Sequence, residues 1–263
     1  MKSPYRSIKH STYFQAYEEL FSKYRGKPIV FVEIGVLGGG SLFMWRDYFG
    51  PQARIIGVDL NPGAMQLVEA GFEIFIGSQS SLEFWCDFIA KVGDIDVVLD
   101  DGGHTYEQQV ITVEALSSHI KDGGMIVVED THTSYMSDFG PQNLSFIEYS
   151  KLLIDKINKR FSAFSAQQSE KRFWSIYFYE SIVALNVNRI ASRLQSVSTE
   201  NRPEVVSVED FRIKDQENYW SSGKPKNQVL EYILRRLFPN TVKKNLKKFV
   251  YDRRTAKKIG KYF

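Results

Sequence analysis

The sequence predicts an α/β fold: a doubly wound, mostly parallel seven-stranded sheet followed by a basic C-terminal extension. Three observations carry this. Five short runs, 29-IVFVEIGV-36, 54-RIIGVDL-60, 72-FEIFIGS-78, 95-IDVVLDD-101 and 125-MIVVED-130, are nearly continuous in apolar residues and end in polar ones. Parallel strands buried on both faces have that composition. Helical segments alternate with these runs, which is the βαβ pattern of a parallel sheet. Two late runs, 174-WSIYFYES-181 and 182-IVALNVNR-189, are nearly contiguous. They can pair only as a tight antiparallel hairpin turning near Glu180-Ser181, so the sheet ends in an antiparallel strand.

The elements follow in order. Residues 12–24 read as an amphipathic helix with aromatic residues on one face. A helix over 42-LFMWRDYF-49 follows the first strand. Asn61-Pro62 supplies an N-cap and a first-turn proline. Ser80-x-x-Glu83 and Thr105-x-x-Gln108 have capping-box spacing. Residues 131–170 form a long insertion after the fifth strand, with a helix over 146–161, and read as a lid or substrate wall. Residues 195–228 are polar and loop-like. The boundaries implied are an N-terminal helical segment 1–27, a core 28–194 and a C-terminal segment 195–263 of polar linker and basic tail.

With 263 residues and 43% hydrophobic content, the chain can bury one sizeable domain with additions. Its single cysteine, Cys86, shares a helical face with Leu82 and Ile89 and reads as a small buried apolar residue. No disulfide framework, secretory h-region or membrane-length apolar run is present in the sequence, so a cytoplasmic location is expected. Net charge is +3 and unevenly spread: residues 235–263 hold eleven Lys/Arg against Asp252, so the remainder is net acidic. The tail reads first as a solvated segment, with peripheral contact at the inner membrane face as a second reading. No aromatic platform or nucleic-acid module accompanies it, which argues against specific nucleic-acid binding.

The segment 33-EIGVLGGGS-41 is a glycine loop between strand and helix. It is neither the dinucleotide G-x-G-x-x-G nor a P-loop. Its spacing is Glu33, Gly35, Gly39, with Ser41 opening the helix, and Asp59 ends the next strand, placed for ribose hydroxyls. An acid here would repel a pyrophosphate but accept the ammonium of S-adenosylmethionine. Ser78 and Gln79 end the third strand where the adenine would lie, and Asp100 reads as a hydrogen-bonding residue on the cofactor side.

The fourth strand ends at Asp100-Asp101 and the fifth at Glu129-Asp130. Ligands bind at the carboxyl ends of such strands, so Asp101, Glu129 and Asp130 converge. Three carboxylates repel one another unless a cation lies between them. An all-oxygen set suits Mg²⁺, and Mn²⁺ fits it too. His104, just before the helix N-cap Thr105, is placed as the general base that takes a proton from a substrate hydroxyl. His132, in 129-EDTHTSYM-136, and Tyr135 are placed for substrate contact.

These stretches, 33-EIGVLGGGS-41, 98-VLDDGGHT-105 and 127-VVEDTHTSY-135, resemble the metal-dependent sugar O-methyltransferases of the macrocin, mycinamicin and rhamnosyl type, grouped with the so-called cephalosporin hydroxylase family. The resemblance covers about residues 5–190. It implies the class I methyltransferase fold, Rossmann-like, with S-adenosylmethionine as methyl donor. It places magnesium on Asp101, Glu129 and Asp130 and the base on His104. The element 9-KHSTYFQAY-17 is similar to a family segment that closes over the cofactor, which makes 1–27 a cofactor-covering segment and adds Tyr13 to the cofactor residues. The mycinamicin enzyme's long N-terminal domain has no counterpart in this sequence, so a different acceptor pocket and assembly are expected, a homo-oligomer among them. The acceptor expected is a hydroxyl of a sugar or glycoside, in a natural product or polysaccharide. The alternatives are a catechol-like or polyketide small molecule, or a hydroxylase-family accessory role. Carboxylate-rich ligands disfavour the last, since redox iron more often takes two histidines and one carboxylate.

Overall fold

The structure is a computed structural model that describes residues 5–161, 169–199 and 201. The sequence expectations for the linker and basic tail lie outside the described residues, apart from 195–199 and 201. Seven strands form one sheet: β1 (Val30–Ile34), β2 (Arg54–Asp59), β3 (Glu73–Ile76), β4 (Ile95–Asp100), β5 (Ile120–Val128), β6 (Phe173–Tyr179) and β7 (Ile182–Val187). Their order is β3-β2-β1-β4-β5-β7-β6. The first five run parallel, and β7 is antiparallel to both β5 and β6. The hairpin turns where expected, with Ser181 at φ +60°.

Helices cover both faces because the strands alternate their side chains. On β1, Phe31 packs into one core and Val32 and Ile34 into the other. The first core is aromatic. Helix α1 (Tyr13–Phe21) and helix α2 (Gly40–Phe49) bring Tyr17, Phe21, Trp45 and Phe49 over Phe31. The Trp45 ring centroid lies 5.0 Å from that of Tyr17, 5.1 Å from Phe31 and 5.5 Å from Phe21. Each such fully buried ring contributes about 1.5–3 kcal/mol. The second core joins Trp85 and Phe88 of α3 (Leu82–Val92), Val113 and Leu116 of α4 (Tyr106–Leu116) and Phe146 and Leu153 of α5 (Phe146–Asn158). A short helix, α6 (Arg189–Arg193), follows β7.

The capping box at Thr105 forms in full: its hydroxyl accepts from Gln108 N–H and the Gln108 side chain accepts from Thr105 N–H. Asn61 caps the 3₁₀ segment Pro62–Ala70. Two expectations need correction. The cap of α3 is Ser81, whose Oγ accepts from Phe84 N–H, so the box does not form at Ser80. Cys86 is exposed, because the stripe Trp85, Phe88, Val92 takes the buried face of α3 and turns Leu82 and Cys86 outward. Among the described residues, no helix is long and apolar enough to cross a membrane.

Candidate active site at the carboxyl edge of the sheet

The strand order reverses between β1 and β4, and ligands of open α/β sheets bind at such a switch point. The glycine loop leaves β1 there. Gly35, at φ +85°, donates its N–H to Val58 O at 2.8 Å, while Asp101 N–H donates to Ile34 O at 3.0 Å. The two loops touch: a Cβ on Gly35 would stand 2.7 Å from the Asp101 carbonyl carbon. Gly39, at φ +82°, is the left-handed N-cap of α2.

Residues 5–12 run across this loop. A Cβ on Gly40 would meet the carbonyl oxygens of Arg6 at 2.5 Å and Tyr5 at 2.7 Å. Lys9 then turns inward. Its Nζ lies 2.6 Å from Asp101 Oδ2, 3.0 Å from Glu129 Oε2 and 3.6 Å from Glu33 Oε1, with the side chain only 4% exposed. Glu33 is fully buried and also accepts from Ser41 Oγ at 2.8 Å and Trp45 Nε1 at 3.2 Å. Glu129 is fully buried as well; its second oxygen accepts from Tyr17 OH. Burial pushes the Glu129 carboxyl up to about 8 against the opposing pull of Lys9. Burial likewise raises Glu33 and Asp101, with Lys9 opposing. Burial alone would lower Lys9, but Glu129, Glu33 and Asp101 together raise it and hold the ammonium charged.

Around Asp130 a second set gathers. Asp130 sits at φ +53° and His104 at φ +58°. Asp130 Oδ1 accepts from Tyr13 OH at 2.5 Å, and Asp130 Oδ2 lies 3.3 Å from His104 Nε2. His104 Nε2 is 4.0 Å from Asp101 Oδ1. Asp101, His104 and Asp130 can each offer one ligand atom, all within 4.8 Å of one another. Asp101 therefore faces two ways, with Oδ2 on Lys9 and Oδ1 towards His104. The backbone of His104 is held from the insertion, where Thr133 Oγ1 donates to His104 O at 3.2 Å.

The remaining predicted residues fall around this centre. Asp59 accepts from the loop N–H groups of Val36 at 3.0 Å and Leu37 at 2.9 Å, and from Asn61 N–H at 2.8 Å. Gln79 is buried; it donates to Asp100 and Thr112 and accepts from Gly103 N–H. Asp100 is buried beneath it, and burial pushes its carboxyl up to about 7. Ser78 is half-buried and accepts from Ser80 N–H. His132 and Tyr135 are exposed at the rim, with His132 Nδ1 2.5 Å from Ser181 Oγ and 3.9 Å from Asp130 Oδ1.

Sequence reasoning assigned no role to Lys9 or Tyr17, although both stand in 9-KHSTYFQAY-17. A signal was present: converging acids need a cation, and Lys9 is one the chain itself supplies.

Comparison with known proteins bears on this geometry. Residues 32–131 match the family model of a methyltransferase domain. The sheet order and the antiparallel β7 are those of the class I methyltransferase fold. The chain is 37% identical over 131 residues to the 8-demethyl-8-(2-methoxy-alpha-L-rhamnosyl)-tetracenomycin-C 3'-O-methyltransferase of Streptomyces olivaceus, covering 47% of this chain and 33% of that protein. It is 34% identical over 133 residues to the mycinamicin VI 2''-O-methyltransferase of Micromonospora griseorubida, covering 48% and 33%. Among solved structures, the MycE methyltransferase of the mycinamycin pathway, in complex with Mg, SAH and mycinamycin VI, superposes with a TM-score of 0.67 at 26% identity. That match covers 80% of this chain and 56% of MycE. The chain thus spans about a third of these two curated relatives and little more than half of MycE.

Proposed function

We propose that the protein is an S-adenosylmethionine-dependent O-methyltransferase that methylates a hydroxyl of a sugar or glycoside with a divalent cation, Mg²⁺ or Mn²⁺. The observation that carries this is the placement of Asp101, His104 and Asp130 within 4.8 Å of one another, directly against the glycine loop. The relatives' names supply the acceptor class, and the MycE complex holds both Mg and SAH.

The residues present fit both groups. Gly35 and Gly39 lack the Cβ atoms that would strike the Asp101 backbone and the Leu67 side chain, so the loop can hold its left-handed turns beside the acids. Glu33, Ser41, Asp59, Ser78, Gln79 and Asp100, with Tyr13 on Asp130, are the residues we assign to the cofactor. Asp101 and Asp130 offer carboxylate oxygens, with Glu129 behind them, and hard divalent ions take such ligands. Bound there, S-adenosylmethionine supplies an electrophilic methyl group and the ion acidifies an acceptor hydroxyl.

The chain's own residues would do the rest. His104 Nε2 accepts the hydroxyl proton. Asp130 Oδ2 lies 3.3 Å from that same nitrogen, so it would stabilise the Nε2–H that the transfer creates. Tyr13 fixes the other oxygen of Asp130. His132 and Tyr135 at the open rim meet the acceptor. Residues 131–161 form the adjoining wall, and the N-terminal segment covers the cofactor. The same distances favour a second reading of one residue, His104 as a metal ligand.

The test is transfer of labelled methyl from S-adenosylmethionine to a panel of rhamnosides and other glycosides, with vicinal diphenols as controls. Loss of His104 as a base lowers turnover by about 10²–10⁴. His104→Gln should show that loss with Mg²⁺ affinity intact. Loss of Mg²⁺ binding instead would make His104 a ligand. Transfer only to diphenols would overturn the glycoside assignment.

A further inference from the structure

Lys9 occupies a position that the mechanism does not use. Its ammonium lies between Asp101, Glu129 and Glu33, at 2.6, 3.0 and 3.6 Å. Two of those carboxylates are proposed metal ligands. Both oxygens of Glu129 are engaged in this arrangement, Oε2 by Lys9 and Oε1 by Tyr17. A divalent ion bound to Asp101 and Glu129 would stand within a few ångströms of that ammonium, in a site where little water screens the repulsion. The two cations exclude each other.

From this geometry we infer that Lys9 is a tethered counter-ion that competes with the divalent cation, and that metal binding to Asp101 and Glu129 expels it. The inference rests on the metal-site reading above and adds to it the residue that sets metal affinity and links it to the N-terminal strap. That link has a structural basis. Within residues 5–12, Lys9 is the one residue that is not exposed. The strap lies over Gly40 through the carbonyls of Tyr5 and Arg6, just before Lys9. Expelling the ammonium therefore removes the strap's buried ionic anchor beside the glycine loop. Linkage makes the effect reciprocal: whatever holds the strap down weakens metal binding, and metal loosens the strap.

The acids also explain why the lysine is there. Glu33 and Glu129 are fully buried, and an uncompensated buried carboxylate is costly. Lys9 neutralises that charge within the chain. Replacing it with a neutral side chain of similar length leaves a proton or the metal as compensation, and the metal no longer has to displace an ammonium, so metal affinity should rise.

Two measurements on the full chain decide the matter. The first is the rate at which an amine-acylating reagent labels Lys9, read by peptide mass spectrometry with and without saturating Mg²⁺. Lys151, with its side chain 61% exposed, is the internal reference. Lys9 should label slowly alone and at least about tenfold faster with Mg²⁺, with Lys151 unchanged. The second is calorimetric Mg²⁺ affinity for wild type and Lys9→Met, which should be at least about tenfold tighter in the variant. Mg²⁺ binding with Lys9 still protected, or with affinity unchanged or weaker in Lys9→Met, would overturn the exchange while leaving the metal site standing. Absence of Mg²⁺ binding to either protein would overturn the metal reading and the exchange with it. Should Lys9→Met fail to fold, the labelling of wild type decides alone.

Discussion

Gly35→Ala tests whether the glycine loop and the acidic loop are one mechanical unit. Gly35 sits at φ +85°, where a Cβ is strained whatever the space. A left-handed backbone costs a side-chain-bearing residue about 1–2 kcal/mol. The new methyl would also stand 2.7 Å from the Asp101 carbonyl carbon and 2.8 Å from Gly102 Cα. Optimal carbon contacts lie at about 3.5–4.0 Å, so backbone must move on one side or the other. Overpacking of that kind adds about 1–3 kcal/mol. The total is about 2–5 kcal/mol. Gly71→Ala is the control: φ is +84°, but the nearest atom to its Cβ is Arg46 Nη1 at 4.0 Å. It should cost only the conformational part, about 1–2 kcal/mol. Urea unfolding of both full-length variants gives the difference, and calorimetry gives the cofactor affinity. Gly35→Ala should be the less stable by about 1 kcal/mol or more and should weaken S-adenosylmethionine binding sharply, with Gly71→Ala leaving it near wild type. Equal stabilities, with cofactor affinity unchanged in Gly35→Ala, would refute the coupling of the two loops.

Arg172 ties the segment before β6 to α4: it pairs with buried Glu170 at 3.0 Å and with Glu114 at 2.7 Å. Arg172→Met leaves buried Glu170 without its guanidinium partner, with the backbone N–H of residue 172 still on Oε1, and should cost about 3 kcal/mol at pH 7, read by urea unfolding. Glu170 is buried, which alone would raise its carboxyl, but Arg172 holds it below the ordinary 4.5. Its stabilising contribution is therefore full above pH 4.5 and lost as pH falls below that, so the wild-type advantage over Arg172→Met should shrink on acidification. Tyr106 OH donates to Met136 O at 2.6 Å, with Thr133 O also within 3.0 Å, anchoring the insertion to α4. Tyr106→Phe should cost about 1–2 kcal/mol and speed proteolysis within residues 131–144. Cys86 should react with a disulfide reagent in the native protein without prior unfolding, as its exposed position requires.

Much of the architecture was legible because buried parallel strands announce themselves. Runs such as 95-IDVVLDD-101 are apolar where two cores cover them and turn polar where the ligand edge begins. The capping box at Thr105 was legible for a local reason, since both partners lie within one turn. At α3 two neighbouring serines offered the same chemistry one residue apart, and packing chose Ser81. Cys86 was misjudged because two apolar stripes compete on that helix, and the bulk of Trp85 and Phe88 wins the core. Convergence of Asp101 with Asp130 followed from strand order, which pattern can reach. The inward turn of Lys9 could not be read locally. It depends on residues 5–12 crossing the glycine loop, and pairs Lys9 with acids 92 and 120 positions away. The side chains on Glu129, Lys9 and Tyr17, are thus a tertiary result with only a charge-balance hint in the sequence.

The most direct test of the proposed cofactor and metal sites is calorimetric titration with S-adenosylmethionine, without and with Mg²⁺, on wild type and Asp101→Ala. Cofactor binding by both proteins, with a Mg²⁺ heat that only wild type shows, is the result this account predicts. No S-adenosylmethionine binding by wild type under either condition would contradict it.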